Sequence, residues 1–184
     1  MDKHCYLVLL RGINVGGNNI IKMTALKACF EDMGFSNVAT FIQSGNVLFE
    51  SAGKNVAKLT EKIEKALSKQ FSYKSRVVVV SHDILKAVVK RAPKGFGKEP
   101  MKYRYDIMFL MPGVSAREAI KQISVKGGVD QVWAGEGVVY FSRLTSRAAQ
   151  SSLPRIIQKP VYQSMTMRNW NTTTKLLAMM EERA

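Results

Sequence analysis

The sequence predicts an α+β protein built from two ferredoxin-like β-α-β-β-α-β halves in tandem, each followed by an extra helix. Strand-like apolar runs and segments of helical periodicity alternate in the same order in both halves of the chain. Each half also has a glycine-containing turn between its two middle strands, which is typical of a hairpin. With 184 residues, 46% of them hydrophobic, the chain can bury a sizeable core as one domain or as two small ones.

The first half begins with an apolar run over 5–11 that is typical of a buried strand. A helix over 23–33 has one apolar face and ends at Gly34, because glycine readily takes the left-handed conformation that stops a helix. Strands near 38–43 and 46–50 follow, joined by a short turn. The half is completed by an amphipathic helix, a β-branched strand and a short helix, predicted over 55–70, 76–80 and 83–91.

The second half repeats this order of elements. A strand over 104–111 leads to a helix over 116–124, where Ser115 and Glu118 have the spacing of a capping box. The remaining elements are the two strands of a hairpin, a helix, a weak strand and a last helix, predicted over 130–134, 137–142, 146–158, 161–167 and 172–183.

The repetition predicts two domains, 1–92 and 103–184, joined by a basic linker loop over 93–102. The linker contains two prolines and two glycines and lacks periodicity, as exposed loops do. Features that both halves share are explained by the fold, whereas features of one half alone need another explanation. Only the first half has a long connection after its first strand and a polar hairpin turn, so these two segments are candidates for a site.

The long connection is rich in glycine, which permits positive φ and the close approach of another group. Its candidate ligand-binding residues are Arg11, Gly12, Asn14, Gly16 and Gly17, and those of the hairpin are Gln43, Ser44 and Asn46. In a β-α-β-β-α-β unit, the exit of the first strand and the hairpin turn lie at the same end of the sheet. We therefore expect both segments to line one site. The alternative is that the amides only hydrogen-bond the loop backbone, as Asn does in many turns.

The start of the last helix provides a second set of candidate ligand-binding residues: Arg168, Asn169, Trp170, Asn171 and Thr172. Asn171 or a neighbouring Thr can cap this helix, and unpaired backbone amides at a helix N-terminus attract anions. Trp170 can stack on a base or another ring, or it can pack against the core. The sequence does not place this segment relative to the glycine-rich connection.

Positive charge dominates the sequence, since 28 basic and 14 acidic residues give a net charge of +14. This balance favours anionic partners such as nucleic acid or phosphorylated ligands. Between residues 86 and 104 only one acid, Glu99, accompanies seven basic residues: Lys86, Lys90, Arg91, Lys94, Lys98, Lys102 and Arg104. A second set forms a stripe on the helix over 55–70, which an ordinary solvated helix face also explains: Lys58, Lys62, Lys65 and Lys69.

Patterns for catalysis or metal binding are scarce. His4 and His82 have no Ser-His-Asp context, and no Cys/His cluster has the spacing of zinc ligands. Cys5 and Cys29 are the only cysteines, both inside apolar patterns, which argues against a disulfide scaffold and places Cys29 in the core. The N-terminal apolar run is too short for a signal peptide or a membrane span. We expect a cytoplasmic monomer without a cofactor or a metal; whether it is an enzyme stays open.

Three segments carry a resemblance: YLVLLRGINVGG at 6–17, QSGNVLF at 43–49 and RNWNT at 168–172. Together they resemble the signature segments of an uncharacterised, mainly bacterial family catalogued as domain of unknown function 1697. The resemblance implies a cytoplasmic protein of two ferredoxin-like halves, and it implies no activity and no catalytic residues. One departure is Met167, where members of the family have a smaller, more Thr-rich approach to Arg168.

Two hypotheses for function follow from these observations. The first is nucleic-acid binding through the basic surface. We expect its sequence selectivity to be weak, because Val47, Leu48 and Phe49 lack the aromatic pair of an RNA-recognition strand. The second is an enzyme or sensor for a small phosphorylated or carboxylated metabolite, held by Arg11 and the backbone amides of Gly16 and Gly17. A broad basic groove favours the first hypothesis, and a concave pocket at the strand end favours the second.

Overall fold

The structure, a computed structural model, describes residues 3–14, 16–17 and 19–183. Val15, which belongs to the first signature segment, lies outside the described residues, as do the outermost ends of the two predicted domains. The fold is α+β, with two four-stranded antiparallel sheets and several helices. The chain divides into two units, of which the first runs to Leu85 and includes the chain again from Leu176, and the second is Lys86–Lys175.

The sheet of the first unit contains β1 (His4–Leu10), β2 (Ser36–Phe41), β3 (Asn46–Ser51) and β4 (Val77–Ser81). Its strand order is β2-β3-β1-β4, and every pair is antiparallel. Apolar side chains on both faces of β1, β3 and β4 are buried, which explains their nearly continuous hydrophobic runs. The order makes β1 and β3 neighbours, as the sequence predicts for its first and third strands.

Three helices follow the strands of the first unit: α1 (Met23–Asp32), α2 (Val56–Phe71) and α3 (His82–Lys90). α1 and α2 bury their apolar stripes against one face of the sheet, where Cys29 also lies, as predicted. Gly34 follows Met33, the C-cap of α1, and has φ +82°, which confirms it as the glycine that stops the helix. Asn55 caps α2 by accepting a hydrogen bond from the Lys58 backbone N–H.

The second unit contains β5 (Tyr103–Leu110), α4 (Ala116–Gln122), β6 (Asp130–Ala134), β7 (Val138–Leu144), β8 (Met165–Asn169) and α5 (Trp170–Glu181). The strand order is β6-β7-β5-β8, again antiparallel throughout. The core includes Met108 of β5, Phe141 of β7 and Ala119 of α4. The predicted hairpin over 130–134 and 137–142 therefore exists, with its second strand extended to Leu144.

The helix predicted over 146–158 is wrong. The chain instead forms three short 3-10 segments: Thr145–Gln150, Leu153–Gln158 and Pro160–Ser164. Pro154 and Pro160 have no backbone N–H and interrupt the ladder of an α-helix. Ser152 also donates its backbone N–H and its hydroxyl to Asp130, which competes with helical hydrogen bonds. The weak strand predicted over 161–167 is displaced accordingly to β8.

Two predicted helix caps also need correction. Ser115 precedes α4, but its side chain makes no capping hydrogen bond, and Glu118 pairs with Lys121 instead. α5 begins two residues earlier than predicted, because Asn169 Oδ1 accepts a hydrogen bond from the Thr172 backbone N–H at 2.7 Å. Asn169 is therefore the cap, in the place that the sequence assigns to Asn171 or a neighbouring threonine.

The unit boundaries differ from the division at 1–92 and 103–184. The predicted linker over 93–102 belongs to the second unit, because Phe96 is buried and its ring centroid lies within 6.0 Å of four aromatic rings: Tyr105, Trp133, Tyr140 and Trp170. The last turns of α5 belong to the first unit, where Arg183 donates a hydrogen bond to the Asn37 carbonyl at 2.7 Å. Both boundaries of the second unit therefore depend on long-range packing, which the composition of the sequence does not reveal.

Candidate functional site

The glycine-rich connection and the hairpin adjoin at one end of the first sheet. The Leu10 backbone N–H donates to the Gly45 carbonyl at 2.8 Å, and Asn14 Nδ2 donates to the Gln43 carbonyl at 2.9 Å. Gly45 has φ +74°, and a Cβ there would lie 2.8 Å from Ile13, so the turn packs directly on the connection. The predicted juxtaposition of the two segments is confirmed.

Two of the candidate amides in this region serve the loops themselves. Asn14 Nδ2 also donates to the Ile21 carbonyl at 3.0 Å, while its Oδ1 accepts from the Ile21 N–H at 2.8 Å. Asn46 is fully buried and donates to the Phe41 carbonyl and to the Ser44 hydroxyl, each at 3.0 Å. Both side chains therefore hydrogen-bond their own loops, which is the alternative to ligand binding that the sequence left open.

The remaining candidates near the hairpin are more accessible. Gln43 is exposed, and its carboxamide makes no hydrogen bond to any residue that the structure describes. Arg11 is half-buried, and Gly12, Gly16 and Gly17 are exposed with positive φ. Ile42 has φ +48° and is half-exposed, although a β-branched residue strongly disfavours the left-handed region. Backbone strain of this kind is often found near functional sites.

The second set of candidates splits into buried and accessible residues. Arg168 is buried and donates to the Thr166 hydroxyl at 3.0 Å and to the Met167 carbonyl at 2.7 Å. Burial lowers the pKa of its guanidinium to about 10, so the group stays charged at neutral pH. Thr172 is also buried. Asn169, Trp170 and Asn171 are the members of this set that remain accessible.

These three accessible residues line a cavity of about 310 Å³ in the second unit. Its other walls come from the C-terminal end of the basic stretch and from the strands β5 and β7: Pro100, Tyr103, Arg104, Tyr105, Asp106 and Arg143. Trp170 is held there by the preceding loop, since a Cβ on Gly97 would lie 2.6 Å from Trp170 Cδ1 and 2.7 Å from Cε2. The cavity therefore combines arginines, amide side chains and aromatic rings.

A charged pair occupies the strand wall of this cavity. Asp106 Oδ2 lies 3.7 Å from Arg143 Nη2, with side-chain exposures of 14% and 20%. Neither Asp106 Oδ2 nor Arg143 Nε makes a hydrogen bond within the described residues, although both atoms are buried. Desolvation raises the pKa of Asp106, and the nearby Arg143 and Arg104 only partly oppose this shift. The pair thus keeps hydrogen-bonding capacity that the protein does not use.

Sequence reasoning missed Asp106 and Arg143, and it treated Arg104 only as part of a basic stretch. The sequence contained one signal for Asp106. Arg104 and Asp106 lie on the same face of β5 as Met108 and Leu110, which are buried in the core. Charged residues at such positions need partners. The pairing with Arg143 across β5 and β7 depends on strand register, which the sequence predicts only coarsely.

The basic stretch is exposed along its length. All seven of its basic residues are exposed. Arg91 pairs with Glu136 and Lys102 with Glu99, and Arg104 interacts electrostatically with Asp106. The other four have no acidic partner in the part of the chain that the structure describes: Lys86, Lys90, Lys94 and Lys98. The Lys102 ammonium also lies 5.3 Å from the centroid of the Tyr103 ring. Of the basic residues of this stretch, Arg104 also lines the cavity.

A second cavity, of about 470 Å³, lies in the first unit. His4 and His82 both line it, and the buried Nε2 atom of each has no hydrogen-bond partner among the described residues. Cys5 lines it too, and burial raises the pKa of its thiol, which keeps the thiol protonated and poorly nucleophilic. Within residues 3–14, 16–17 and 19–183, no three His, Cys, Asp or Glu side chains come close enough to hold a metal ion.

Residues 3–140 match the family described as protein of unknown function (DUF1697), which is three quarters of the chain. The chain belongs to this family. A comparison with curated proteins finds no significant match. Among the described residues, no helix has the length and apolar character that crossing a membrane requires.

Two solved structures align with this chain over nearly its whole length. The conserved bacterial protein SP0830 from Streptococcus pneumoniae superposes with a TM-score of 0.85 at 24% identity, over 97% of this chain and 99% of that one. An unknown protein from Galdieria sulphuraria aligns over 99% of this chain and 94% of that one, at 10% identity and with a TM-score of only 0.28. The first comparison shows a common fold and nothing about activity.

Proposed function

We propose that this protein binds single-stranded nucleic acid through the basic stretch at 86–104 and the cavity beside it. The observation that carries the proposal is the joining of Arg104, Arg143 and Trp170 in one cavity, at the C-terminal end of a stretch with four lysines that have no acidic partner among the described residues. Proteins that bind single strands combine a positive surface that follows the phosphates with aromatic side chains on which bases stack. Trp170 and Tyr103 supply such rings, and the arginines supply charge.

The chemistry of the site favours binding over catalysis. Its polar groups are guanidinium donors, amides and one carboxylate, and the cavity contains no histidine, cysteine or serine that serves as a nucleophile. Phosphate contacts from lysine and arginine do not read sequence, so overall affinity depends mainly on the backbone charge of the ligand.

The proposal also includes the fold and the setting of the protein. Each unit is ferredoxin-like, which the β4-β1-β3-β2 order of the first unit supports. The protein acts as a monomer in a bacterial cytoplasm.

A binding titration tests this proposal. A fluorescently labelled single strand of about 12 nucleotides is titrated with protein and followed by anisotropy. We expect binding at micromolar protein in low salt, falling linearly on a log–log plot as salt rises. Arg104→Ala should weaken binding at least about threefold, since one phosphate contact is lost. Arg117→Ala is the matched control, because Arg117 is exposed on α4 and outside the cavity. Absence of binding at low salt overturns the proposal.

A second candidate function is the binding of a small anionic metabolite at the glycine-rich connection. The strained Ile42 backbone beside the exposed Gln43 carboxamide favours it. It has less support than the first, because Asn14 and Asn46 are bound to loop groups. A phosphorylated metabolite that raises the melting temperature of the wild type and of Arg104→Ala, but not of Gln43→Ala, would favour this candidate.

A further inference from the structure

We infer that the cavity of the second unit holds a guanine base of the bound strand, with Asp106 accepting hydrogen bonds from its N1–H and N2–H groups. This inference rests on the proposed function and adds a base preference to it. It starts from the pair of buried atoms, Asp106 Oδ2 and Arg143 Nε, whose hydrogen bonds no described residue satisfies. Both residues line the cavity, and buried polar atoms are nearly always paired, so this acceptor and this donor point to a polar partner there.

The size of the cavity is sufficient for a base. Its volume of about 310 Å³ lies at the lower end of the roughly 300–1,000 Å³ range of small-molecule sites. Trp170 and Tyr103 offer aromatic surfaces, and the Trp170 ring is fixed between Phe96, at 5.2 Å between centroids, and the Gly97 backbone. A ring that is already held in place loses little entropy when a base stacks on it.

The charge pattern selects among the bases. An ionised carboxylate only accepts hydrogen bonds, and its two oxygens match two parallel N–H donors. Guanine presents such a pair at N1 and N2. Adenine and cytosine place a ring-nitrogen acceptor beside their amino group, and uracil flanks its single N–H with two carbonyls, so each opposes Asp106 with an acceptor. The guanine O6 acceptor lies next to N1–H, and the Arg143 guanidinium is 3.7 Å from the same carboxylate.

The neighbouring side chains complete this arrangement. Arg104 is exposed at the rim, where it meets a phosphate rather than a base. Asn169 uses its Oδ1 to cap α5, which leaves its amide N–H groups for an acceptor. The cavity thus has an acceptor in Asp106 and donors in Arg143 and Asn169. These match the two N–H donors and the O6 acceptor along one edge of guanine.

The test compares oligouridylates of about 12 nucleotides that differ in one central base. We expect the strand with a central guanine to bind about tenfold tighter than all-uridine or the strand with a central adenine, as a bidentate pair gives. Inosine lacks the N2 amino group and should lose much of this preference, which requires no protein variant. Asp106→Asn should remove the preference, so that the strand with a central guanine and the all-uridine strand bind this variant with equal affinity. Asp83→Asn is the matched control, because Asp83 is fully exposed in the first unit.

The outcomes separate the inference from the proposed function. If all strands bind equally and Asp106→Asn changes nothing, the guanine inference fails while nucleic-acid binding stands. If adenine is preferred, or inosine equals guanine, the assigned contact is wrong. If no strand binds at low salt, the proposed function fails and the inference with it. Thermal unfolding checks that the Asp106→Asn variant is folded. We expect it to be folded, because burial raises the pKa of Asp106, which means that the ionised carboxylate opposes folding at neutral pH.

Discussion

Asn14 is a residue whose side chain connects two loops. It bonds the Ile21 N–H and carbonyl and the Gln43 carbonyl, and its own backbone takes φ +53°, a conformation that Asn tolerates better than most residues. Asn14→Ala removes three hydrogen bonds and leaves loop carbonyls unpaired, so we expect a loss of about 2 kcal/mol in the free energy of unfolding. Urea unfolding measures this loss.

The neighbouring amide provides the control for that change. Gln43 is exposed and its side chain makes no hydrogen bond to a described residue, so Gln43→Ala should alter the unfolding free energy by less than about 0.5 kcal/mol. Equal stability of the two variants would contradict the structural role of Asn14. The sequence predicted that these two residues meet, because strand direction alone brings the loops together. It did not predict which amide is used by the loop, because that depends on backbone angles in a glycine-rich segment.

Asp106 shows the opposite limit of prediction from sequence. Its position on a strand was predicted, since the run over 104–111 is apolar apart from its first residues. Its function in the cavity depends on a neighbour 37 positions later, Arg143, and on the first turn of a helix still further along the chain. Nothing in local periodicity joins such residues. The candidates at 169–171 were found because a helix start is visible in sequence, whereas the opposite wall was not.

At the level of elements, the loop over 93–102 holds the start of α5 in place. Gly97 has φ +80° and no room for a Cβ beside the Trp170 ring, whereas Gly95 has φ +83° and open space around it. Alanine costs a similar amount of backbone strain at both positions, about 1–2 kcal/mol. We expect Gly97→Ala to lower the melting temperature further than Gly95→Ala and to weaken oligonucleotide binding, because Trp170 must move.

Differential scanning calorimetry and the anisotropy titration measure the two effects of these glycine variants. If Gly95→Ala and Gly97→Ala behave alike, the loop does not position the indole. If Gly97→Ala is less stable but binds the oligonucleotide as well as the wild type does, Trp170 packs in the core and does not contact the nucleic acid. The pair is informative because backbone strain is common to both variants and the contact with Trp170 is not.

Elements with strong local signals were predicted correctly, and one with conflicting signals was not. The Val77–Val80 run and the stripe of α2 formed a strand and a helix as predicted, because their local preferences agree with the packing that they make. The segment over 146–158 has helical residues at its start, yet Pro154 and the contact of Ser152 with Asp130 prevent the helix. Long-range polar contacts of this type have no local signature.

For the whole molecule, the net charge of +14 has two main exposed concentrations along the chain, the α2 stripe and the stretch at 86–104. The second includes Arg104, which lines a cavity together with Arg143 and aromatic rings. The α2 stripe has acidic neighbours on the same helix and one lysine engaged with the protein itself, since Lys62 donates to the Met33 carbonyl at 2.6 Å. Charge alone therefore does not decide between a binding surface and a solvated helix face.

Two variants with equal net charge separate these possibilities. One replaces Lys94, Lys98 and Arg104 with Gln, and the other makes the same change at Lys58, Lys65 and Lys69. Each phosphate contact contributes about 0.7 to the slope of log affinity against log salt for a single strand. We expect the first variant to reduce the slope by about two, because three such contacts are lost, and the second to leave it unchanged. Equal reductions in both variants would mean that binding follows total charge, and the stretch at 86–104 would lose its special role.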